Sequence, residues 1–201
     1  MSPALRRFRW LIYLGVLLVC AWSLWQQWPQ RPAAPLGWLQ QWQSELIAPL
    51  AAETLTVQQL QAQVPGQLWL LPQGESGPRL VYRADWQDGE LHGRVEVELA
   101  LSDKERASLL AALGASAEAP EQALSDTLLE QLGAHHLATL LFKPDGELPA
   151  VRLTASLGAP RVRLGLPEGG EAWLYPEQGM TLFVAEERLR LLQVVPRRSF
   201  K

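Results

Sequence analysis

Hydrophobic and polar positions change their period twice along this chain. Trp10 to Trp28 is a nineteen-residue stretch with no charge and no period, close to the ~20 residues a membrane-crossing helix requires. Trp38, Leu39, Trp42, Leu46 and Ile47 then recur at helical spacing. TVQQLQAQVPG predicts a second short helix, opened by Thr54 or Thr56 and stopped before Pro65.

From there the period is two. QLWLL (67–71) and RLVYRADW (79–86) predict strands around the turn-forming PQGESGP. An Asp-Gly pair in QDGE signals a hairpin. LHGRVEVELAL then sets Val95, Val97, Leu99 and Leu101 on one face and Arg94, Glu96 and Glu98 on the other, a sheet with one wet side.

Ser102 and Glu105 form a capping box before a helix that stops at Gly114. PEQALSDTLLEQLG predicts another helix, from Pro120 to Gly133. HLATLLF predicts a strand; LPAVRLTASLG fits a strand through Val151, Leu153 and Leu157 or a short helix stopped at Gly158 before Pro160, and the helix is favoured. RVRLGL (161–166), EAWLY (171–175), MTLFV (180–184) and RLRLLQVV (188–195) predict four short strands. Gly169 and Gly170 suit the positive φ of a tight turn between the first two.

The resulting expectation is an α+β fold: an N-terminal transmembrane helix, then antiparallel sheet packed with short helices. The expected boundaries are a cytoplasmic stub 1–9, a spanning helix 10–28, a Pro-rich linker 29–36 and a domain 37–201. PGQLWLLPQG (65–74) and PRVRLGLPEG (160–169) align without a gap, so two related halves, 54–113 and 120–195, stand beside a single domain.

Charge assigns the orientation. Arg6, Arg7 and Arg9 precede the apolar run, which keeps the N-terminus in the cytoplasm and exports the body. Trp10 and Tyr13 at one end, and Trp22, Trp25 and Trp28 at the other, suit the two headgroup layers as membrane anchors. A cleaved leader is disfavoured by the prolines around Ala33. Lipidation at Cys20 is disfavoured by Val19, where a small residue is usual.

Of 18 basic and 21 acidic residues, four Arg and no acid lie in 1–44, which leaves 14 against 21, a net of -7, beyond it. Such a body is a poor fit to nucleic acid. A single Cys permits no internal disulfide.

The C-terminal part resembles the SmpA/OmlA family of small envelope lipoproteins. The likeness rests on SLGAP (156–160), EAWLYP (171–176) and GMTLFVAEERLRLLQVV (179–195). It implies helices on one face of an antiparallel sheet and a binding role without catalysis.

Candidate chemistry is sparse. His135 and His136 are adjacent, so on a strand they point to opposite faces and cannot readily share an ion. PEGGE lacks the ending of a phosphate loop. No G-x-S-x-G stands in the chain. No catalytic, cofactor-binding or metal-binding residue is assigned.

The aromatics are the better candidates. Trp38, Trp42, Trp173 and Tyr175 are either core or partner-binding anchors. The expectation is a non-enzymatic scaffold or adaptor in a cell-envelope assembly or secretion complex. It would sit in a bacterial inner membrane with its domain periplasmic, and would bind envelope proteins. The alternative is a periplasmic ligand-binding or hydrolase-inhibiting module.

Overall fold

The computed structural model describes residues 33–71, 78–113 and 120–200. Nine strands form one antiparallel sheet: β1 (Gln67–Leu71), β2 (Arg79–Asp88), β3 (Leu91–Leu99), β4 (Gln122–Ala123), β5 (Leu137–Pro144), β6 (Val162–Gly165), β7 (Glu171–Tyr175), β8 (Met180–Ala185) and β9 (Arg188–Val194). Their order across the sheet is β4-β1-β2-β3-β5-β9-β8-β7-β6. A three-strand and a four-strand meander therefore run inward from opposite ends and meet on β5.

Local chemistry makes the turns. Asp88 pairs with Leu91, so Gly89 is the first central residue of a two-residue loop, and its φ of 59° suits a hairpin. Gly169 and Gly170, with φ 94° and 88°, return β6 into β7. Gly179 (φ 66°) closes a 3-10 turn, Pro176–Gln178, between β7 and β8. At the β8–β9 turn the two central residues, Glu186 and Glu187, both take positive φ without being glycine.

One face of the sheet carries the core. Leu68 and Leu70 on β1, Leu80, Tyr82 and Ala84 on β2, Val95, Val97 and Leu99 on β3, Leu140 and Phe142 on β5, and Leu182 and Leu192 on β8 and β9 are buried there. Leu39, Trp42, Leu46, Ile47 and Leu50 join them from the helical stretch 37–51. Val57 and Leu60, Leu129, and Leu153 come from helices Val57–Gln63, Asp126–Gln131 and Ala150–Leu157. Tyr82 Oη donates to the Val64 carbonyl at 2.7 Å and ties β2 to the end of the second of these helices.

One helix start is settled on Thr56 over Thr54, and one is as the sequence predicts. Thr56 and Gln59 form a reciprocal capping box, and so do Ser102 and Glu105 ahead of helix Asp103–Leu113. A third differs. Where one helix was expected from Pro120, Gln122 and Ala123 pair with Leu70 and Trp69 as β4. The helix begins only at Asp126, because Ser125 accepts the Leu128 N–H and is the better cap.

The expected α+β class is corrected. The described chain is mainly a nine-stranded antiparallel sheet with few, short helices, the longest being the 11 residues of Asp103–Leu113. Capping residues announce helix starts strongly in sequence, yet the helices they open here are short, and most of the paired backbone lies in the sheet. Segments 54–113 and 120–195 both contribute to the one sheet, since β3 and β9 both ladder onto β5. Among the described residues no helix is long and apolar enough to cross a membrane, so the structure lends no support to the expected transmembrane helix. The stretch 10–28 on which that helix was expected lies outside the described residues, and with it Trp10, Tyr13, Trp22, Trp25 and Trp28.

Candidate interaction surface

The second face of the sheet is built from the alternate residues of every strand. Register gives one unbroken row across it: Gln67, Arg83, Glu96, Leu141, Gln193, Thr181, Leu174 and Val162. None of these residues belongs to the core cluster, and the helices that contribute to that cluster cover the other face.

This face has two halves of different chemistry. On β1–β3 it is a lattice of ions. Arg79 meets Glu98 at 3.6 Å, Arg83 meets Glu96 at 3.3 Å, and Arg83 also reaches Glu121 at 2.6 Å beside β4. The Arg83 guanidinium lies 5.5 Å from the centre of the Trp69 ring. Its hydrogen bond to Glu121 raises the arginine further and holds that carboxyl below its ordinary range. Gln67, Trp69, Arg83, Asp85, Arg94 and Glu96 line a shallow groove of about 320 Å³. The pair Glu96 and Glu98 is thus part of a solvated charge ladder, as VEVEL predicts.

From β9 to β6 the same face turns apolar, through Leu191, Phe183, Ala172, Leu174, Leu164 and Val162. It ends at a free edge. β6 has a neighbour on one side only, all four of its residues are exposed, and Val162 and Leu164 are 40% and 50% accessible.

The four aromatic candidates lie under the opposite face, and all are buried. Trp38 and Trp42 are 7% and 4% accessible and stand edge-to-face, 5.1 Å apart. With Trp86 and Phe142 they make a closed cluster of rings, each pair 4.9–5.5 Å apart. Trp173 and Tyr175 share a strand face, as their spacing predicts, and that face is the covered one. Trp173 Nε1 donates to Glu171 at 2.6 Å, and Arg163 lies 4.2 Å above its ring. Tyr175 Oη donates to the Gly158 carbonyl at 3.0 Å. The structure therefore brings these candidates together in pairs, and none of the four offers an exposed ring. Sequence reasoning passed over Val162 and Leu164: RVRLGL reads as a strand, and its letters carry no signal that separates an edge strand from a central one.

His135 and His136 act through their backbones, accepting from Val57 N–H and Ala100 N–H respectively. The His135 ring lines a cleft of about 520 Å³ with Leu101, Leu109 and Leu132, and His92 is exposed on β3. Among the described residues no group of three or more His, Cys, Asp or Glu is arranged to hold a metal ion.

No known family model matches this chain, and neither a curated protein nor a solved structure is found to be similar to it.

Proposed function

We propose that this chain is a non-catalytic protein-binding scaffold that engages its partners through the uncovered face of the sheet. The observation that carries the reading is that face: the described helices of the core leave it bare, and it joins an ion lattice to an apolar half. A rim of paired charge beside an apolar patch is the composition of a specific protein contact. The cell envelope, with the sheet on the periplasmic side of an inner membrane, is the setting suggested by the arginines and Trp-flanked apolar run of residues 1–28. The likeness to SmpA/OmlA lipoproteins supports the same kind of work.

A photoreactive residue at Leu174 or Phe183 of the full chain, in its native membrane fraction, should capture a discrete set of polypeptides. The same residue at Gln58, exposed on a covering helix, should capture none of them. Capture from Gln58 alone would place binding on the helical side and end this reading.

A further inference from the structure

We infer that β6 is a pairing site for a second copy of this chain, giving a two-fold dimer in which two nine-stranded sheets become continuous. The inference goes beyond the scaffold reading and stands apart from it, because it concerns the edge of the sheet and not its face.

The backbone supplies the first argument. Leu166 N–H donates to the Gly170 carbonyl, which puts Leu166, Leu164 and Val162 in the hydrogen-bonded pairs with β7. Alternation then turns the N–H and C=O of Arg163 and Gly165 outward, along the open edge. Unpaired groups on an apolar edge are a ready template for another strand. The usual guard of charge is drawn aside: Arg161 pairs with Glu177 at 3.4 Å, and Arg163 lies over Trp173 within 3.9 Å of Glu171. At the other end of the sheet β4 has only two residues, and Glu121 before it is held by Arg83. That border is blunt.

Self-complementarity supplies the second argument, and it selects the register. Only Arg163 and Gly165 can exchange hydrogen bonds across the new edge. Placing Arg163 opposite its own copy sets like charges face to face. Placing Gly165 opposite its own copy brings Arg163 against Pro167, which has no N–H to give. The remaining antiparallel register puts Arg163 opposite the second copy's Gly165, twice by symmetry. The guanidinium-bearing residue then faces the one residue without a side chain. Leu164 faces itself on the two-fold axis, and Val162 faces the second copy's Leu166. The same direction of pairing carries Arg161 toward the turn that holds Glu168 of the second copy, so cation and acid meet at both ends. A non-hydrogen-bonded antiparallel pair brings its Cβ atoms to about 4.5–5.5 Å, near enough for a disulfide to close with small backbone movement.

The test uses the full chain in whole cells that express it, with Cys20→Ser as background. Under mild oxidation Leu164→Cys should form a covalent homodimer several-fold more readily than Val162→Cys, whose copies are held several residues apart in this register. Adding Gly165→Pro removes an outward N–H at a position where a Cβ meets open space. It should drop the Leu164→Cys dimer to the Val162→Cys level while protease resistance stays unchanged. Equal crosslinking at 162 and 164 overturns the proposal, as does a Leu164→Cys dimer that survives Gly165→Pro. In each of these cases capture from Leu174 still reports on the scaffold reading separately.

Discussion

Tyr82 shows how much one side chain decides in this fold. Its phenol is buried, and burial pushes its pKa from 10.0 up to about 12, against a smaller opposing pull from the Gly66 N–H. Tyr175 is raised to about 12 by burial as well, with the Arg163 charge opposing. In the unfolded chain both phenols ionise near 10.0, while in the folded chain they hold their protons longer. The stability this gives is whole below pH 10.0 and is lost as pH climbs toward 12. Denaturant midpoints should therefore fall steeply across that window, and Tyr82→Phe should flatten the fall. At neutral pH the same substitution should cost about 1–2 kcal/mol, because the Val64 carbonyl loses its donor; a urea titration measures both. Glu186 and Glu187 are the opposite case. Each holds a positive φ that L-residues adopt at a cost of roughly 1–2 kcal/mol. Glu187→Gly should thus raise stability by about 0.5–1 kcal/mol, the strain relieved less the added freedom of the unfolded chain, read as a higher thermal midpoint.

At the scale of elements, the strands were legible and the helical details were not. LHGRVEVELAL alternates so cleanly that its buried and exposed faces follow from the letters alone. The stretch 37–51 hides a different winding. Trp38, Trp42, Leu46 and Leu50 recur every fourth residue and are all buried. On an ordinary α-helix that spacing drifts by about 40° at each step. The π turn Gln43–Ile47 winds wider and keeps the row on the core. It sits just before Pro49, which has no N–H to give to the preceding turn. Four-residue spacing reads the same for either winding, so the letters could not separate them. β4 was missed for a related reason: Gln122 and Ala123 have no strand signal of their own and pair only because Leu70 and Trp69 lie beside them. Exposure of Val162 and Leu164 is likewise a matter of place. An alternating strand looks the same at the centre of a sheet and at its border.

For the described residues taken together, one core means one transition. Phe142 touches the rings of Trp38, Trp42 and Trp86, and its own ring occupies the space a side chain at Gly93 would need. Phe142→Ala should cost about 3–5 kcal/mol. The loss should appear equally in tryptophan fluorescence and in far-ultraviolet circular dichroism, since both meanders rest on the same cluster. Two separated unfolding steps would instead mean that the sheet comes apart at β5. The candidate surface was half legible. Its charged half follows from VEVEL and the arginines of β2, whereas its apolar half depends on which face the helices cover, a long-range matter.

The unlike ends of the sheet have one further result. A sheet with two equally receptive borders could recruit molecules without limit and grow into a fibre. Here the two-residue border strand, with its neighbouring glutamate clamped by arginine, offers newcomers nothing to extend. Growth that starts at the opposite border ends as soon as two molecules have met, which lets an apolar rim be kept for assembly without the hazard of a polymer.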